Sequence, residues 1–146
     1  MFCWKTGMLL LSLLFADIVI AADEFETLSR EFTQKQLEFK NGTASLPTLL
    51  NAEIRLLLAR LEADSSEADT KKNIRQRLSK CLERLLNDYR LQYKAGIASS
   101  AVLTTEEIRC LQIQLKYHLW KSEKDRESLE KRLKFLQTRL SSACEK

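Results

Sequence analysis

The chain has 146 residues, 45% of them hydrophobic and 30% charged, enough apolar material for one domain with a core and far from a disordered composition. Three glycines and one proline leave little for hairpin turns, so the fold class expected is all-α, a compact bundle of four to five antiparallel helices. A net charge of +4 is too small to mark a nucleic-acid binder, and one histidine with no Cys-x-x-Cys pair excludes the structural zinc sites.

The N-terminus reads as a secretory signal peptide over residues 1–22. Lys5 supplies a positive start, Met8 to Ala16 is an apolar run, and Ala21 and Ala22 offer a cleavage site. The run is shorter than the roughly 20 apolar residues that span a bilayer. No later stretch qualifies, because Glu53, Arg55 and Arg60 interrupt the leucine-rich segment Leu46 to Leu61. The expectation is an extracellular protein without a membrane span, whose residues 23–146 form a single helical domain.

Cleavage after Ala22 leaves Cys81, Cys110 and Cys144. In an oxidising compartment this odd number predicts disulfide support from one bridge, with the third thiol buried, reactive or linked to another chain. The buried thiol is the favoured outcome, and which two cysteines pair is left open. Asn41-Gly42-Thr43 is an acceptor sequon at a break between helical patterns, which makes Asn41 the candidate glycosylation site.

Helical spacing predicts a first helix from Asp23 to Lys40, with Phe25, Leu28, Phe32 and Phe39 or Leu37 on one side, ended by Asn41 and Gly42. Ser45 as N-cap and Pro47 in the first turn open a second helix. Its apolar face, including Leu50, Ile54 and Leu57, is wide enough for a central helix with more than one neighbour. After a polar turn over residues 62–69, a third helix runs to about Tyr93, with Ile74, Leu78, Cys81, Leu82, Leu85 and Tyr89 as its stripe and Gly96 as its stop. The segment Ile97 to Leu103 is expected to be the longest connection and to lie against the bundle.

Thr104-Thr105-Glu106-Glu107 matches a capping box and predicts the start of a fourth helix that continues to about Trp120. That helix divides into two apolar stripes, one with Leu111, Leu115 and Leu119, the other with Cys110, Ile113, Tyr117 and Trp120. Two stripes imply two neighbours. The polar run Lys121 to Glu127 either breaks or kinks the chain, and Leu129, Leu133, Leu136, Leu140 and Cys144 then form the last stripe, too short for a sustained coiled coil.

Catalytic chemistry finds little footing. No nucleophile elbow is present, and Cys110 and His118 on one helix would stand about 12 Å apart along its axis at about 1.5 Å per residue. No catalytic, metal or cofactor residues are assigned, and the chain is expected not to be an enzyme. The cations Lys71, Lys72, Arg75, Arg77 and Lys80, with Lys131, Arg132, Lys134 and Arg139, could give weak polyanion binding, but interleaved glutamates favour a solvated face. What remains is recognition by surface, for which Tyr89, Tyr93, Tyr117 and Trp120 with nearby arginines are the candidates.

The mature start "DEFETLSREF", the cysteines in "SKCLERLLNDY", "EIRCLQIQLKY" and "SSACEK", and the helical body together resemble the salivary proteins of anopheline mosquitoes typified by anophensin and albicin. The resemblance spans the mature chain in layout. It implies a helical protein delivered during blood feeding that inhibits host plasma cascades, through the alternative complement convertase or the contact and kinin system, by binding extracellular host proteins without turnover. Two other readings of the residues stay open: a cytokine-like helical ligand, expected to show long overhand connections, and a carrier of a small hydrophobic molecule, expected to hold an internal pocket.

Overall fold

A computed structural model describes residues 23–63 and 68–144, with side chains to Ser141. The segment read as a signal peptide lies outside the described residues. Five helices and no strands are present among them: α1 over residues 23–40, α2 Leu46–Glu62, α3 Ala68–Lys94, α4 Ser100–Lys116 and α5 Glu123–Cys144.

The core is built around α2. Leu50, Ile54 and Leu57 join Ile74, Leu78, Cys81, Leu82 and Leu85 of α3 and Cys110 of α4 in one buried cluster. No charged or polar residue is buried among the described residues, so this core rests on apolar burial alone. The opposite face of α2 is covered as well. Ala52 and Leu56 are buried between Arg55, which reaches Glu31 of α1, and Arg60, which lies over the Phe25 ring of α1. The expected central helix is therefore present, with α1 on its outer side.

Helix α5 lies against α4 and makes no close backbone approach to α2 or α3. Leu111 and Leu136 are buried along this α4–α5 seam. The architecture is a three-helix core, α2–α3–α4, with α1 laid outside α2 and α5 outside α4.

Polar clasps link α1 to α2, α2 to α3, α2 to α4 and α4 to α5 at their rims. Arg55 donates to both carboxylate oxygens of Glu31 at 2.6 and 2.9 Å, and Arg77 to Glu53 at 2.6 Å. Arg109 of α4 donates to Asn51 of α2 at 2.8 Å, and Arg132 of α5 to Glu107 of α4 at 2.9 Å. Such exposed pairs contribute only about 0–1 kcal/mol each, so their effect is on register more than on stability.

Three helices end in the same backbone device. After α1, Gly42 at φ 73° donates to Phe39 O and Thr43 to Glu38 O; after α3, Gly96 at φ 72° donates to Tyr93 O and Ile97 to Gln92 O. After α4, His118 at φ 56° takes the glycine's place, donating to Leu115 O, while Leu119 donates to Gln114 O at 3.0 Å. These paired bonds satisfy the last carbonyls of each helix and reverse the chain.

That device shortens α4 relative to its expected span at the C-terminal end. The helix stops at Lys116, and Trp120 lies in the connection beyond it. The chain does break here, but over residues 117–122, ahead of most of the polar run: Glu123 to Glu127 form the first turns of α5, and Ser122 Oγ accepts from Asp125 N at its start. At the other end, α4 begins earlier than expected. Because the Gly96 turn reverses the chain at once, Ser99 sits in extended geometry and its side chain accepts from Val102 N at 3.3 Å. Thr104 is inside the helix, its hydroxyl turned back to Ser100 O at 2.8 Å. The segment from Ile97 is consequently a tight turn and not a long connection, and Ile97 is exposed instead of lying on the bundle.

These two positions give a direct comparison. Ser99→Ala should cost about 1 kcal/mol in urea denaturation, as loss of a cap does, while Thr104→Ala should change stability by no more than about 0.5 kcal/mol, since alanine favours a helix interior. A larger loss at Thr104 would place the start of α4 at the capping box.

Candidate functional site

The chain's one histidine, His118, is held by the backbone. Left-handed geometry at a residue with a Cβ costs about 1–2 kcal/mol, and the surrounding hydrogen bonds impose it. Its ring lies 4.7 Å from that of Trp120, centroid to centroid, at a tilt of 50°. Tyr117, the residue before it, donates its hydroxyl to Glu62 of α2, and the Lys116 ammonium reaches the same carboxylate at 3.2 Å. The tyrosine hydroxyl, then the lysine, hold the Glu62 carboxyl below its ordinary 4.5. Burial, then the adjacent carboxylate, push the Tyr117 phenol up. The C-terminus of α4 is thereby fastened to that of α2.

Cys81 and Cys110 are free thiols buried in the core. Cys81 faces the α2 side, where Glu53 lies, and burial first, then that carboxylate, push its thiol up to about 12. Burial pushes Cys110 up to about 11. The bridge expected among Cys81, Cys110 and Cys144 is not shown: the first two are unpaired, and the Cys144 side chain lies outside those described. Asn41 is exposed on the α1–α2 turn, and the hydroxyl of Thr43 in its sequon donates to Glu38 O at 3.0 Å. Among the described residues no group of His, Cys, Asp and Glu is placed to hold a metal ion.

Of the four aromatic candidates, Tyr89 packs against the core, Tyr117 and Trp120 are half-buried, and Tyr93 is exposed. The basic stripes are partly engaged, since Arg77 and Arg132 are in the interhelical clasps. The sequence reading missed the other large apolar residues that the fold leaves in solvent. Leu91, Ile97 and Val102 surround the α3–α4 turn beside Tyr93, and Phe135 stands on α5 with Arg132 over its ring at 5.8 Å; Leu37 and Phe39, expected on the packed side of α1, are exposed as well. Several of these exposed apolar residues lie around the α3–α4 turn, whereas the histidine and the buried thiols do not form a common site.

Set against known proteins, the chain matches no family model, no curated protein and no solved structure.

Two outcomes follow from this placement. His118→Gly should be neutral or stabilising by up to about 1 kcal/mol in urea denaturation, while His118→Val should destabilise by about 1–2 kcal/mol; the opposite order would show that the ring contact outweighs the backbone. In the folded protein at neutral pH, iodoacetamide should leave Cys81 and Cys110 unmodified, and alkylation seen by peptide mass spectrometry should track unfolding. Rapid labelling of either native thiol would contradict its burial.

Proposed function

We propose that this chain is a secreted, non-enzymatic binding protein that inhibits host plasma cascades by occupying a protein surface, with the alternative complement convertase or the contact and kinin system as its target. The observation that carries the reading is the engagement of the reactive groups in the fold. His118 terminates α4, Cys81 and Cys110 are core side chains with raised thiol pKa values, and Tyr117 and Glu62 fasten two helix ends. A stiff bundle of clasped helices then offers its outer surface for recognition. The class of target follows from the resemblance to the anopheline salivary proteins.

The reading includes cleavage after Ala22 and a glycan on the exposed Asn41. A cytokine-like ligand is less well supported, because short connections join antiparallel neighbours without an overhand crossing. A hydrophobic-ligand carrier is also less well supported, because Leu50, Ile54, Leu78, Leu82, Leu85 and Cys110 occupy the space between α2, α3 and α4.

Purified protein at micromolar concentration should slow alternative-pathway haemolysis or kallikrein generation in plasma without consuming any plasma component. No effect in either assay would remove the inhibitor reading. Intact mass before and after glycosidase should show one glycan.

A further inference from the structure

The α3–α4 end of the bundle joins two properties that folding alone does not require. The first is apolar exposure. Ile97 at the apex is 77% exposed and Leu91 is 65% exposed, with Tyr93, Val102 and Phe135 also in solvent. The second is charge of one sign. Between Asp88 and Glu106 the chain carries Arg90 and Lys94 and no carboxylate side chain. Between Glu130 and Glu145 it carries Lys131, Arg132, Lys134 and Arg139 and again none. The Arg132–Glu107 pair sets α5 antiparallel to α4, so the residues after Arg132 climb toward the same end.

The apolar side chains do not share one face. Leu91 and Tyr93 lie roughly 200° apart around α3 at about 3.6 residues per turn. Val102, two turns before Arg109, is on the α4 side that looks toward α2, while Phe135 is on α5. A flat partner could cover only some of them. A medium that surrounds the end could meet all of them, and the excess of cations in its last turns favours an anionic one.

We propose that the α3–α4 end is a peripheral membrane-binding site, in which Ile97 and its apolar neighbours enter the headgroup layer of an anionic phospholipid bilayer while Arg90, Lys94 and Lys134 face its phosphates and carboxylates. No helix among the described residues is long and apolar enough to cross a membrane, so the contact is superficial. This goes beyond the inhibitor reading and stands independently of it.

The test is co-sedimentation of the full chain with vesicles of phosphatidylcholine, with and without phosphatidylserine. Binding is expected to be stronger where phosphatidylserine is present, and that increment should weaken as salt is raised. Ile97→Ser and Lys94→Glu should each lower the apparent affinity about fivefold or more. Lys72→Glu, an equal charge change on an exposed residue near the far end of α3, should leave it nearly unchanged. Circular dichroism checks that each variant folds, and the shared background cancels any contribution from other segments.

The proposal is overturned if the unaltered chain fails to bind phosphatidylserine vesicles, or if binding ignores the Ile97 substitution and follows total charge alone. It is overturned equally if sedimentation velocity shows this end buried in a self-associated species that Ile97→Ser dissociates. If vesicle binding is absent and Ile97→Ser instead abolishes inhibition in plasma, the end docks a protein and not a lipid.

Discussion

Burial of α2 on opposite sides is the constraint on which the rest of the structure depends. One side carries Leu50, Ile54 and Leu57 into the cluster with α3 and α4, and the other buries Ala52 and Leu56 along α1. Truncating a fully buried leucine of this cluster, such as Leu50 or Leu82, to alanine removes about 2–5 kcal/mol. A domain has only about 5–15 kcal/mol in total. The rim pairs cannot compensate at about 0–1 kcal/mol each. Apolar packing on α2 therefore holds the helices together, and Glu31, Glu53, Asn51 and Glu62 set how they align.

Much of this was legible because the apolar spacing of each helix is regular. The centrality of α2, its Ser45 cap with Pro47 in the first turn, and the stops at Gly42 and Gly96 all follow from local rules that the structure obeys. The limits of α4 were not legible. A left-handed residue is anticipated from glycine, and at its third use the position is filled by His118. The capping box at Thr104 is a real pattern, but the Gly96 turn brings Ser99 into capping geometry first. Local signals compete, and the connection's geometry decides between them.

The surface was least legible. Whether Ile97 lies on the bundle or stands in solvent depends on how α3 and α4 meet, and periodicity within either helix carries no information about that. The clasps depend on register between helices in the same way, so Arg132 read in isolation belongs to a cationic stripe and in the fold belongs partly to Glu107. The chemistry-bearing residues move in the opposite direction. His118, Tyr117 and Cys110 stand out in the sequence as rare residues close together, and each is accounted for by a helix end or a core position.

The cations at the α3–α4 end could be supposed to serve the helix dipoles, which favour positive charge at C-termini. That explanation covers Lys94, in the last turn of α3, and stops there. The last turn of α5 contains no basic residue, so Lys131 and Lys134 lie too far from its end to act on its terminal carbonyls. The N-terminus of α4 is at the same end and should favour an acid, yet its first turn has none. By contrast, α5 begins at the other end with Glu123 and Asp125 where its dipole wants them. The dipole rule accounts for the charges that open α5 and for Lys94 but not for Lys131 and Lys134, and the end that Lys134 shares with Lys94 also leaves isoleucine, leucine and valine in water. Departures from local optima that coincide in space are where a function independent of the fold is expected.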